Sequence, residues 1–269
     1  GSSSSRFRAS RATSDPITPR KYRRDCSVRR APLHGTLMGQ AVCREASDVV
    51  RHVPDSTDMF SRILFENARI RVSDVRLPPG ASCGSEEHAF PTVRWQVGAG
   101  RHLLHGSDEP RPVADKTVFW VEAGEHFVAS NAHATDEYRQ VCWEFKQPPK
   151  HSEEEVRALL DKAIYSTNVG TSLLFENPYC RVWDFYLEPG QDGGTHHHVL
   201  DYVFVYVAAG RLLGSHHDGR PGLFDSINDD CDVTWFDIPE GAAVDPKYAH
   251  GGKNGYDDRP MREYLIELK

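Results

Sequence analysis

At 269 residues, 39% of them hydrophobic and 26% charged, the chain holds enough apolar mass for one large core or two ordinary ones. Its formal net charge of −7 argues against a broad nucleic-acid footprint, which needs clustered Lys and Arg on the folded surface. No apolar run nears the roughly 18 residues that span a bilayer, and the 17 prolines and 21 glycines suit a loop-punctuated β protein.

Residues 1–32 hold nine Lys/Arg against Asp15 and Asp25, so the remainder is strongly acidic. This Ser/Arg-rich segment is similar in composition to plastid or mitochondrial transit sequences; the alternative is a flexible solvated arm behind a Gly-Ser cloning scar. Either reading sets it apart from the fold, in an intracellular protein that is cytoplasmic or organellar. The six cysteines are scattered without a C-x-x-C pair, which fits reduced, buried thiols. Residues 33–56 read as a connecting arm with a short amphipathic stretch.

From residue 57 the chain is written twice. "LFENARIRVSDVRLPPG" (64–80) recurs as "LFENPYCRVWDFYLEPG" (174–190), and an ungapped offset of 110 from Leu64 to Leu104 gives 18 identities in 41 positions, where chance gives about two or three. The match includes Arg71/Arg181, Asp74/Asp184, Gly80/Gly190 and His88/His198. Each copy alternates apolar and polar residues between Gly or Pro turns, the pattern of short β-strands. The expected units are 57–150 and 167–269. Between them, 151–166 contains "HSEEEVRALLDKAI", a helix with Ser152 and Glu155 as a capping box and Val156, Leu159, Leu160 and Ala163 as its apolar face.

The second copy carries the densest chemistry. "GTHHHVLDYVFVYV" places His196 and His198 on one face of a strand and His197 on the other. His250, after the "PEG" turn at 239–241, is the third candidate ligand. Three neutral imidazoles on a rigid β scaffold suit a divalent transition metal and leave positions open for substrate. In the first copy Glu86 stands where His196 stands, with His88 and His133 matching His198 and His250. Glu86, His88 and His133 thus form a candidate second metal site, the alternative being a copy kept for packing. His197 is expected at the surface or hydrogen-bonded between strands. His216 and His217 read as turn residues, Tyr206 as core filling, Arg262 and Lys247 as surface cations, and 216–232 as a loop or lid.

These residues resemble a known family, the cupins. Their first motif runs Gly, five residues, H-x-H, three or four residues, Glu, six residues, Gly; their second sets a Pro-x-Gly turn before His and Asn. Gly190, His196, His198 and Gly210 fit the first, and "PEG", His250 and Asn254 fit the second with extra residues before the histidine. The resemblance spans about 57–269 and implies an all-β bicupin, two tandem cupin jelly-roll β-barrels joined by a short helix. Counted back from Gly210, the family's Glu falls on Val203, leaving a three-histidine site with Asp201 and Tyr202 as the remaining candidates to reach the metal. Three-histidine cupins include dioxygenases, so the resemblance implies a non-haem Fe(II)-type oxidoreductase acting on a small organic substrate, Mn, Ni, Zn or Cu being the other metals. The alternatives are a non-redox metal-dependent lyase, decarboxylase or isomerase, and a non-catalytic ligand- or metal-binding bicupin. The expected partners are a small-molecule substrate and a second copy in a homodimer, with no nucleic acid and no membrane.

Overall fold

The computed structural model describes residues 20–21, 60–82, 88–104, 109–127 and 129–269. In chain order the first half contributes β1 (Arg20–Lys21), β2 (Phe60–Glu66), β3 (Ile70–Leu77), β4 (Thr92–Val97), β5 (Gly100–Leu104), β6 (Arg111–Val113), β7 (Val118–Val121), β8 (Ala129–Asn131) and β9 (Tyr138–Phe145). After α1 (Glu153–Lys162) come β10 (Ser172–Glu176), β11 (Cys180–Leu187), β12 (Asp192–His197), β13 (Asp201–Tyr206), β14 (Gly210–His216), β15 (Pro221–Asn228), β16 (Val233–Phe236), β17 (Ala249–Asn254) and β18 (Met261–Leu268). The protein is nearly all β, and α1 is the one α-helix among the described residues.

The repeat in sequence is a repeat in topology. The first half forms a large sheet in the order β2-β3-β9-β4-β7 and a small one, β6-β5-β8; the second forms β10-β11-β18-β13-β16 and β15-β14-β17-β12. Corresponding strands occupy corresponding places. The helix between the halves starts where its capping box predicts, with the Ser152 hydroxyl accepting from the Glu155 amide and the Glu155 carboxylate accepting from the Ser152 amide. Its apolar face packs Val156, Leu159, Leu160 and Ala163 against Val199, Leu200 and Ala243.

The central strands of the two large sheets, β3, β9 and β4 in one and β11, β18 and β13 in the other, are buried on both faces, and strand alternation decides what each face meets. Along β11, Cys180 and Val182 point to the other half, while Trp183, Phe185 and Leu187 point into their own. The layer between the halves collects Phe65, Ile70, Val72, Val93, Trp95, Val141, Trp143 and Phe145 from one side and Val203, Val205, Val233, Trp235, Tyr264, Ile266 and Leu268 from the other. Trp95 stacks on Tyr264 with ring centroids 3.7 Å apart, and Phe65 on Trp235 at 6.1 Å. Each such buried side chain contributes roughly 1.5–3 kcal/mol, so this layer is a main core of the fold.

Charged rims flank that layer, and each half sends a turn into the other. Asp184 is held by Arg262 at 2.8 Å and by Lys116 of the first half at 2.7 Å. In the corresponding place, fully buried Asp74 is held by Arg139 at 2.8 Å and Arg76 at 2.7 Å, and the Cys231 thiol of the second half lies 3.5 Å away. Lys116 and Cys231 are the two non-glycine residues with left-handed backbone among those described, φ 70° and 71°. Burial alone would raise the Asp74 pKa, and the hydrogen bonds from Arg139 and Arg76 outweigh it, holding the carboxyl below its usual range. Arg139→Ala therefore leaves a buried carboxylate with one cationic partner, Arg76, and is expected to cost about 3 kcal/mol. Asp230→Asn, on the exposed side of the same cluster, is expected to cost under about 1 kcal/mol. Urea unfolding of the two variants checks the contrast.

The N-terminal segment, expected to stand apart, supplies β1, which pairs Arg20 with Trp235 and Lys21 with Thr234 along the edge of β16. An edge strand has unpaired backbone groups that any extended segment can satisfy. The rest of 1–32 and all of 33–56 lie outside the described residues, as do Cys26, Cys43 and Cys83. Cys142 and Cys180 are buried and Cys231 half-buried, and none of the three is in a disulfide. Among the described residues no helix is long and apolar enough to cross a membrane.

Candidate metal centre

The small sheet of the second half brings three histidines together. His196 near the end of β12 lies directly across from His250 on β17, and opposite residues of an antiparallel pair share a face. His198 follows one step past the strand, its amide donating to the Tyr248 carbonyl at 3.3 Å. The ring centroids are 4.9 Å apart for His196 and His198, 4.7 Å for His196 and His250, and 5.0 Å for His198 and His250. One ring nitrogen from each lies within 4.8 Å of the others, the only such cluster of potential ligands among the described residues.

The electrostatics suit a cation. His196 and His198 are buried and His250 half-buried. Burial and mutual repulsion push the His198 imidazole well below its usual range, and burial takes His196 to about 4 and His250 to about 3. All three are therefore neutral donors at neutral pH. The Nδ1 of His196 faces the Gly194 carbonyl at 3.3 Å, which places the proton there and leaves Nε2 with a free lone pair. The Nδ1 of His198 is buried with no hydrogen-bond partner. Three converging neutral imidazoles, each able to offer one lone pair to a common point, fit a divalent metal.

Around the rings the wall is aromatic. Tyr202 lies flat on His198, centroids 3.8 Å apart, and on Phe236 at 4.6 Å. Phe185 meets His196 edge-on at 6.4 Å, and Phe224 meets His250 at 5.9 Å. Gly210 starts β14 beside Tyr206, where a Cβ would lie 2.8 Å from the ring, so only glycine fits.

Several expectations need correction. Val203, counted at the family's Glu position, is fully buried in the layer between the halves, looking away from the histidines. Tyr202 is the β13 residue on the site face, but it stacks on His198, so its hydroxyl lies in a plane parallel to that ring. Asp201 is an ion-pair partner of Arg69 and accepts from the Ile238 amide at 2.7 Å. It holds the halves together and is committed away from the site. His197 is neither at the surface nor between strands; it is buried, bonded through Nε2 to the Ala242 carbonyl at 2.8 Å in the 3-10 turn Ala242–Val244. His217 pairs with the Tyr165 hydroxyl at 2.9 Å, and His216 ends β14 directly across from His250. Arg262, expected at the surface, bonds Asp184 and Asp115 between the halves; Lys247 is exposed and pairs with Asp245.

In the first half, Glu86 lies outside the described residues. His88 is buried, with Nε2 3.3 Å from an Arg94 nitrogen and Nδ1 3.4 Å from the Thr92 hydroxyl. His133 is tied into its own turn, its Nδ1 accepting from the amides of Thr135 and Asp136.

Two buried carboxyls escaped the sequence reading. Glu263 and Glu267 lie on the inward face of β18 with Met261 and Leu265. Glu267 accepts from Arg181 and from the Trp183 indole, each at 2.8 Å. Glu263 has Tyr206 and Phe185 as cross-strand neighbours, the Tyr206 hydroxyl as hydrogen-bond partner and Oε1 without one. Burial pushes both carboxyls up to about 7. The alternation of "MREYLIEL" was the available signal, since it puts both acids on one face with Met261 and Leu265.

No family model matches the sequence, and no curated protein matches it. Among solved structures, the chain is similar to a cupin 2 conserved barrel domain protein from Leptotrichia buccalis at 12% identity, over 81% of this chain and 92% of that one, with a TM-score of 0.43. It is similar to Bacillus subtilis oxalate decarboxylase, whose Mn(II) centres that structure addresses, at 13% identity over 78% and 72% of the two chains, TM-score 0.47. A cupin domain from Bordetella pertussis matches 35% of this chain and 99% of its own at 21% identity, TM-score 0.31. The solved structures to which this chain is similar thus include cupin proteins, the family its histidine motifs resemble.

Proposed function

We propose that the chain is a metal-dependent bicupin enzyme, with units at 57–150 and 167–269 joined through 151–166, and that His196, His198 and His250 of the second unit hold a divalent transition metal. The observation that carries this reading is the convergence of three neutral, buried imidazoles within 4.8 Å. With no acidic residue in that cluster, the cation's charge is left for an anionic substrate to balance, which favours Fe(II) and a dioxygenase-type oxidation of a small organic acid, thiol or enolate. A bound divalent ion supplies Lewis acidity and, when it is ferrous, redox chemistry with dioxygen. The chain's own residues do the rest. The Gly194 carbonyl fixes the His196 tautomer, and Tyr202, Phe185 and Phe224 exclude water from around the rings.

A second reading keeps the same ligands for a non-redox lyase or decarboxylase step. It is favoured by Glu263, a buried carboxyl on the inward face of β18 across from Phe185, which itself meets His196, and raised by burial to about 7, where it can carry a proton near neutrality. Elemental analysis with an oxygen electrode separates the two. About one metal atom per chain, and oxygen uptake only in the Fe(II)-loaded protein with substrate, is the expected result. Turnover without oxygen favours the second reading, and a chain that takes up no divalent metal removes both.

A further inference from the structure

The interior of the first half carries a charge that the described residues do not balance. Arg94, on the inward face of β4, is 5% exposed. Its Nε donates to the Gln140 side-chain oxygen at 2.9 Å, its Nη1 lies 3.3 Å from His88 Nε2, and its guanidinium sits 4.4 Å above the Phe127 ring. Among the described residues it makes no ion pair with any carboxylate, whereas every other buried arginine does: Arg139 with Asp74 and Asp230, and Arg181 with Glu267. A buried guanidinium left unpaired costs several kcal/mol.

The duplicated architecture sharpens this. Gln140 lies across from Val75 and Gln96, as Glu263 lies across from Phe185 and Tyr206, so the two occupy the same place in the two halves. By the same offset Arg94 stands where Phe204 stands. The second half thus has a buried carboxyl and no cation at these positions, and the first has a buried cation with an amide in place of the carboxyl. Gln140 cannot neutralise Arg94, but it orients it. Its amide also donates to the Tyr138 hydroxyl at 2.7 Å, which is 3.2 Å from His102 Nδ1, so the guanidinium is held by a continuous buried network. A cation beside His88 repels a metal ion and attracts an anion.

We propose that the interior of the first half is a binding site for a small carboxylate anion, with the planar Arg94 guanidinium as its principal partner and His88 beside it. With Nε taken by Gln140, the ligand is met on the Nη1–Nη2 edge, whose two parallel N–H donors match a carboxylate. The surrounding Phe119, Phe127 and His102 rings, with centroids 5.3–5.5 Å apart, restrict the ligand to one with a small apolar remainder. This site is separate from the three-histidine cluster and does not depend on metal.

The test uses the full-length protein stripped of metal by chelation, with thermal unfolding and titration calorimetry in sodium acetate, phosphate and chloride at matched ionic strength. Acetate is expected to raise the melting temperature saturably beyond chloride. Arg94→Gln should abolish that gain, and Arg94→Lys, which keeps the charge but loses the fork, should weaken binding about tenfold. The His196→Ala/His198→Ala double variant should retain it in full, which separates this site from the proposed metal centre. The proposal is overturned if acetate acts no differently from chloride on the wild-type chain, if Arg94→Gln keeps the effect, or if the double histidine variant loses it. Phosphate binding more tightly than acetate overturns the carboxylate assignment.

Discussion

Alanine at His250 is expected to strip the chain of bound metal while leaving its sheets in place. His250 is the ligand contributed by a second strand, so removing it leaves two donors close in sequence and no enclosing geometry. The affinity loss should exceed the roughly 10–100-fold that follows from deleting a mere supporting hydrogen bond to a ligand. Metal content at pH 7.5 measures it, and full occupancy in the variant would refute the site. The metal-free proteins give a second readout with a definite sign. His250 has its pKa lowered from 6.5 to about 3 by burial, so between those values the unfolded chain binds more protons than the folded one. Its penalty is absent above pH 6.5 and grows as pH falls, reaching roughly 2 kcal/mol at pH 5. Metal-free His250→Ala should therefore lose less stability than the wild type between pH 8 and pH 5.

Glu263→Gln is expected to stabilise the protein at pH 8 by roughly 3 kcal/mol and to change little at pH 4.5. The folded carboxyl is raised from 4.5 to about 7 by burial, the opposite case from the histidines. Folding favours its protonated form, so its contribution is intact below pH 4.5 and is lost as pH rises through about 7. Glutamine has no charge to desolvate and can still meet the Tyr206 hydroxyl. The first half already uses it, since Gln140 fills the corresponding position and bonds Tyr138. Urea unfolding at the two pH values decides the matter. Destabilisation at pH 8 would show instead that the ionised carboxylate is held by a cation.

Much of this was legible in the chain because the signals were local or repeated. The offset of 110 announced two like-folded halves, the capping box fixed the start of α1, and strand alternation put His196 and His198 on one face. What escaped reading depended on contacts distant in sequence. Counting back from Gly210 crosses the turn at 207–209 between β14 and β13, and such a count carries no strand phase, so it falls on Val203 where Tyr202 faces the site. Asp201 looked like a ligand because its partner, Arg69, lies in the other half. Glu263 and Glu267 were hidden in a strand whose other face, Tyr264, Ile266 and Leu268, is equally buried. In such a strand an acid reads as a solvated residue until its neighbours are known.

The layer that joins the halves is built reciprocally. Each half offers the same patch, with the same strand order, to the other, and each lends a left-handed turn, at Lys116 or Cys231, to its neighbour's carboxylate. That reciprocity, the same patch serving on both sides of one contact, is the logic of an isologous interface, here made within a single chain. A fragment ending in the α1 region would present Trp95, Trp143 and Phe145 to water, and is expected to seek another copy of itself rather than persist as a soluble monomer.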